Sequence, residues 1–183
     1  MRTSWIVGAA LVTCAAVCPV SSFAEPEATT SATLEFKGLV VGQAVTTQQI
    51  QSTLGISCGA GANQMQVCNG QGTILGYSGS FNVVVGPDGI LDRIDIRLNQ
   101  IHYADVADAF HKKFGPPTSI DHSTVQNKFG AKFENEHVVW GDLNGVALVL
   151  RKYAGGLDKS SVTFSTKRDR DLLSRGMKKS NDL

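Results

Sequence analysis

The stretch CGAGANQMQVC, residues 58 to 68, is where this sequence comes nearest to a recognisable chemistry. Cys58 and Cys68 stand ten positions apart, with Gly59 and Gly61 behind the first cysteine and no charged side chain between the two. A structural zinc site wants cysteines two to four residues apart and further ligands close by, but the nearest histidine is His102. A thiol redox centre wants C-x-x-C, which is absent. Gly59-Ala60-Gly61 has the outline of a phosphate loop. A nucleotide fingerprint, however, needs a strand before it, a helix after it and glycines at fixed offsets, and here ANQMQVC follows without a lysine. The remaining reading is a disulfide, a staple between the first helix and the first sheet, worth roughly 3 kcal/mol in the chain-entropy model for a loop of this size.

The other reactive side chains form no recognisable set. GYSGS, residues 76 to 80, misses the G-x-S-x-G nucleophile elbow because Gly79 follows Ser78 directly, and it lies between expected strands, so it reads as a turn or bulge. His111 shares a helix with Asp108, whose i,i+4 partner is Lys112, a pairing typical of a solvent-facing side. His122 follows Asp121 in a loop and His137 opens a strand. No spacing brings these groups together, so no catalytic residue, metal ligand or cofactor contact is assigned. Three residues are candidates for touching a partner protein: Met65 in the cysteine loop, Trp140 and Tyr153. Trp140 alternates with Val138, which favours the core; the other reading is an exposed aromatic anchor, strengthened if Tyr153 lies on the same face.

The elements that must position these residues follow from periodicity. TTQQIQSTLG offers Thr46 or Thr47 as an N-cap, Ile50 and Leu54 four apart, and Gly55 as a stop, which predicts a short helix. In YADVADAFHKKFGPP, Tyr103, Val106, Ala107, Phe110 and Phe114 fall on one helical face, and Gly115 with Pro116 and Pro117 ends the helix. Between these helices the period becomes two. Phe81, Val83 and Val85, the turn GPDG, and Ile94, Ile96 and Leu98 alternating with Arg93, Asp95 and Arg97 predict a β-hairpin. A second hairpin, HVVWG–DLNG–VALVLRKY, and a strand at SSVTFST follow, with NKFGAKFEN before them as a strand pair or irregular bend.

The expected fold class is α+β, an antiparallel β-sheet with helices packed on one face and two related helix-plus-sheet modules. The compact domain spans residues 34–166, with candidate repeat units 34–98 and 99–166; the charged tail 167–183 starts helical and frays beyond Gly176. At the front, Arg2, an apolar run from Trp5 to about Val17 and the triplet Ser22-Phe23-Ala24 read as a secretory signal peptide, residues 1–24, cleaved near Ala24. The run is too short to span a bilayer. A lipid anchor at Cys14 is disfavoured because Thr13 stands where small residues are preferred. Residues 25–33, EPEATTSAT, read as a flexible leader.

Cleavage would remove Arg2, Cys14 and Cys18, leaving 16 basic residues against 16 acidic ones and a single cysteine pair. A neutral chain argues against nucleic acid, and an even cysteine pair in an exported chain argues for the disulfide Cys58–Cys68. The expected location is the periplasm or the medium outside the cell.

GLVVGQAVTTQQIQSTLG resembles the opening of the small α+β modules of the BamE/SmpA-like outer-membrane assembly lipoprotein family, and of the tandem modules of the β-lactamase-inhibitor protein family. YADVADAFHKKFGPP resembles the same glycine-terminated helix a second time, with the proline usual after that glycine; Ile56 stands in place of that proline in the first unit. The resemblance implies a tandem α+β architecture and an exported, non-enzymatic role, and carries no binding residue across. The expected function is therefore binding of another envelope protein, as an accessory or an inhibitor or immunity-type module. The alternatives are a carrier with an apolar pocket between helix and sheet and, last, an envelope hydrolase whose carboxylates come from distant segments.

Overall fold

The computed structural model of the protein describes residues 33–180, with side chains described as far as Arg175. The expected signal peptide and all but the last residue of the leader lie outside the described residues. Two short strands, β1 (Glu35–Phe36) and β2 (Leu39–Val40), turn at Lys37 and Gly38 and lead into helix α1 (Thr47–Leu54). Four strands follow: β3 (Ser57–Ala60), β4 (Gln66–Ile74), β5 (Tyr77–Val85) and β6 (Leu91–Asn99). Helix α2 (Tyr103–Phe114) precedes four more: β7 (Ser119–Gln126), β8 (Lys132–Gly141), β9 (Val146–Arg151) and β10 (Lys159–Thr166), after which helix α3 (Lys167–Ser180) begins directly.

All eight strands β3–β10 join one antiparallel sheet in the order β3-β4-β5-β6-β10-β9-β8-β7. A helix followed by a four-strand meander thus occurs twice, and the two meanders meet through their last strands, β6 and β10. The seam is fully paired, from Lys159↔Asn99 to Ser165↔Arg93. The fold is α+β, as expected.

Local chemistry explains the helices. Thr46 caps α1, its hydroxyl accepting from Gln49 N–H at 3.1 Å, and Gly55 ends it in the left-handed region at φ 70°. In α2, Asp105 lies in the first turn and His111, Lys112 and Lys113 in the last, matching the helix dipole. Ile50 and Leu54 of α1 and Tyr103, Val106 and Phe110 of α2 pack with Phe81, Ile94, Phe164 and Leu148 in one continuous core. Phe110 meets both Trp140 and Phe164 edge-on, with centroids 5.9 and 6.0 Å apart.

Four local expectations are corrected. Cys58 and Cys68 do not tie a helix to a sheet: they lie directly opposite each other on β3 and β4, so CGAGANQMQVC is itself a disulfide-bonded hairpin. In GYSGS only Gly76 belongs to a turn, at φ 84°, and Tyr77 to Ser80 form the start of β5. NKFGAKFEN is a tight turn plus the start of β8, joining a hairpin whose first arm, β7, shows no alternation in SIDHSTVQ. The tail stays helical through Gly176 to Ser180 instead of fraying at Gly176. Among the described residues no helix is long and apolar enough to cross a membrane.

Candidate functional site

Strand parity divides the sheet into two faces. Phe81, Val83 and Val85 of β5 and Ile94, Ile96 and Leu98 of β6 point into the core under α1 and α2. The residues between them form the opposite face, which neither helix covers. Register lines this open face up in rows across the strands: Gln71, Ser80, Arg97, Ser161, Arg151 and His137 are successive partners, and Asp121 pairs with His137 at the far edge. The next row runs Asn69, Asn82, Asp95, Thr163, Val149 and Val139.

Over β4, β5, β6 and β10 the open face is polar and internally bonded, while Val139, Ala147 and Val149 form a small buried apolar cluster over β8 and β9. Asn82 donates to Asn69 at 2.7 Å and accepts from Arg93 at 3.2 Å. Arg93 Nη1 also lies 3.1 Å from both carboxylate oxygens of Asp169. Thr163 donates to Asp95 at 2.9 Å, and Arg97 Nε lies 3.6 Å from the other Asp95 oxygen while its side chain is 64% exposed. Burial pushes the Asp169 carboxyl up, against the pull of Arg93. Burial also lowers His137, helped by the Arg151 charge and opposed by Asp121, which favours a neutral imidazole. Asn69, Asn82, Arg93, Asp95, Thr163 and Asp169 line a depression of about 770 Å³ to which Arg170 and Leu173 of α3 also contribute.

The first turn of α3 is held by three consecutive side chains. Arg168 reaches Asp88 in the β5–β6 turn and the buried Asp92, and its hydrogen bonds hold the Asp88 carboxyl down at about 2. Asp169 takes Arg93. Arg170 donates to the carbonyls of Ser165, Leu143 and Gly145. The helix therefore sits across the seam between the two meanders, on the open-face side.

Two hairpins flank the face. The β7–β8 hairpin carries Phe129 at its tip, 83% exposed, and β7 itself is exposed along nearly its whole length. The β3–β4 hairpin carries the disulfide, and Asn63 and Gln64 turn its tip with positive φ of 54° and 61°.

Of the partner-contact candidates, Trp140 is corrected: it is 2% exposed and its indole N–H donates to the Gly115 carbonyl at 2.9 Å, so it is core. Tyr153 is half-buried, edge-on to Phe133 at 6.2 Å, with its amide donating to Asn135. Met65 is half-buried where the β3–β4 tip ends. The structure does not bring the three together at one site.

The histidines lie in separate surroundings: His102 stacks on Tyr77 at 3.8 Å, His111 is edge-on to Trp140, and His122 faces Glu134 at 3.1 Å. Among the described residues no group of three histidine, cysteine or acidic side chains is placed to hold a metal. Sequence reading passed over Phe129 and over Arg97 and Arg151. The only signal for the arginines was the polar side of an alternating strand, which every half-covered sheet shows. No protein-family model matches this chain, and neither does any curated protein or solved structure compared with it.

Proposed function

We propose that this chain is an exported, non-enzymatic module that binds another protein of the cell envelope through the open face of its sheet and the β7–β8 hairpin. The carrying observation is Phe129, 83% exposed at the tip of that hairpin. A two-stranded ribbon without a covered face is marginal in water, and an aromatic at its tip supplies the apolar anchor that protein interfaces use. The paired cysteines and the signal-like first residues support export, and the resemblance of its two glycine-terminated helices to envelope modules supports a binding role.

Site-specific photo-crosslinking in living cells tests this reading. A crosslinker at Phe129 is expected to give one adduct of discrete mass, and the same crosslinker at the exposed Lys112 on α2 none. No adduct at Phe129, or the same adducts from both positions, would end the proposal.

A further inference from the structure

We propose that Arg97 and Arg151 form a carboxylate anchor, a subsite that receives the side chain of a glutamate or aspartate presented by the partner protein. Both arginines are direct neighbours of Ser161, one on β6 and one on β9. Two strand spacings put their backbones roughly 9.5 Å apart on one face, near enough for two long side chains to converge above Ser161. They line a single depression of about 260 Å³ together with Asp95, Ser161 and Thr163.

The charges in that depression do not balance. Arg151 has no carboxylate within ion-pairing distance among the described residues, and Arg97 has only the loose 3.6 Å approach to Asp95. Asp95 is already engaged, since its other oxygen accepts from Thr163. Across the larger depression Arg93, Arg97, Arg151 and Arg170 face only Asp95 and Asp169. Asp169 is spent on Arg93 and Arg170 on backbone carbonyls. The excess positive charge is thus a local feature of a chain whose formal net charge is only +1.

Geometry selects the occupant. Guanidinium groups match the planar, two-oxygen carboxylate in a forked pair of hydrogen bonds, and Ser161 adds a hydroxyl donor at the floor. The depression of about 260 Å³ over Ser161 is the size of one side chain, and the same two arginines also line the larger depression of about 770 Å³, so the titration includes a free anion as a competing occupant. A polyanion needs many clustered cations, which this face lacks. The inference rests on the protein-binding reading for its partner, while the anchor can be tested without that partner.

The experiment is a nuclear magnetic resonance titration of the ¹⁵N-labelled, disulfide-bonded chain with a capped hexapeptide carrying one central glutamate. Its glutamine twin and inorganic phosphate serve as the other probes. The glutamate peptide is expected to shift the Nε–H signals of Arg97 and Arg151 and the Ser161 amide; the glutamine twin should bind roughly tenfold more weakly or not at all. Read at the Ser161 amide, the shift should vanish in Arg97→Gln with Arg151→Gln while the melting temperature holds, and should weaken in Arg97→Lys with Arg151→Lys, which keeps the charge.

Equal shifts from both peptides, or shifts that survive the glutamine double variant, would overturn the anchor. So would phosphate saturating the two arginines while the glutamate peptide leaves them unmoved, which would make this a site for a free anion. If the double variant still crosslinks through Phe129 as strongly as the parent, the carboxylate anchor falls and protein binding stands. If the parent itself fails to crosslink, protein binding falls while the titration still decides whether the arginines hold a carboxylate.

Discussion

Gly86 shows how much can rest on one missing methyl group. A Cβ at this position would lie 2.4 Å from Arg168 Nη2 and 2.8 Å from an Asp92 oxygen, so the α3 clasp needs hydrogen here. Gly86→Ala is expected to displace the guanidinium and cost about 1–3 kcal/mol. Chemical denaturation of Gly86→Ala, Arg168→Ala and the double variant should show strong non-additivity, because both single changes break the same network. Simple addition of the two losses would mean that Gly86 and Arg168 act separately.

His137 gives a pH signature at the same scale. Its pKa in the fold lies below the unfolded 6.5, so above that value neither state is protonated and stability is at its plateau. As the pH falls below 6.5 the unfolded chain takes up a proton that the folded imidazole refuses, and stability drops until the folded pKa is reached. Melting temperature is therefore expected to decline between pH 7 and 5, and His137→Gln should flatten that slope. An unchanged slope in the variant would assign the decline to other groups. A second, more acidic decline belongs to Asp88, whose carboxyl is held at about 2 against an ordinary 3.8; its contribution is present above 3.8 and fades as the pH falls toward 2.

At the scale of elements, β3 and α3 are the two pieces whose attachment can be tested. Strand β3 is a four-residue edge strand paired only with β4, and the disulfide closes that hairpin from within. Replacing Cys58 and Cys68 by serine should cost at most about 3 kcal/mol, and hydrogen exchange should quicken in β3 and the adjoining end of β4 while the β6–β10 seam stays protected. Helix α3 is different in kind. Asp92 is 3% exposed and takes hydrogen bonds from Thr166 and from Arg168. Removing residues 167–183 would leave this buried carboxylate, and Arg93 beside it, without charged partners. A loss of about 3–5 kcal/mol is expected by calorimetry, whereas a loss near zero would show α3 to be an appendage.

At the scale of the whole molecule, the two meanders share one interior. Phe36 reaches Phe81 in the first half at 5.8 Å and Phe164 in the second at 6.0 Å, and α2 packs Phe110 on Trp140 and Phe164. With one continuous core and a seam paired over seven residues, unfolding should be a single transition, and calorimetric and van't Hoff enthalpies should agree. Two separated transitions would mean that the halves hold together only through their ends.

What the sequence determined by itself is whatever is encoded over short spans. The α1 cap, the apolar face of α2, the GPDG and DLNG turns, the alternating strands β5 and β6 and the apolar run of β9 are each written within about a dozen residues, because helix and strand periods are local. The cysteine pair belongs here too, since its parity and spacing left a disulfide as the remaining chemistry. Strand β4 escaped because Gly70 and Gly72 stand where core side chains are expected. Each makes room for a neighbour, Ile56 and Phe81, whose atoms would lie within 2.8 Å of an added Cβ. Strand β7 escaped because a strand exposed on both sides has no alternation to read.

Tertiary structure alone decided the rest. Whether Trp140 was core or anchor turned on the Gly115 carbonyl 25 residues away. The helical tail depends on Asp88, Asp92 and Arg93, more than 70 residues earlier in the chain. Arg97 and Arg151 became a pair only when β10 came between β6 and β9 and set Ser161 opposite both. A site assembled by strand order has no spacing of its own in the chain, because the sheet, not the local sequence, chooses which residues become neighbours.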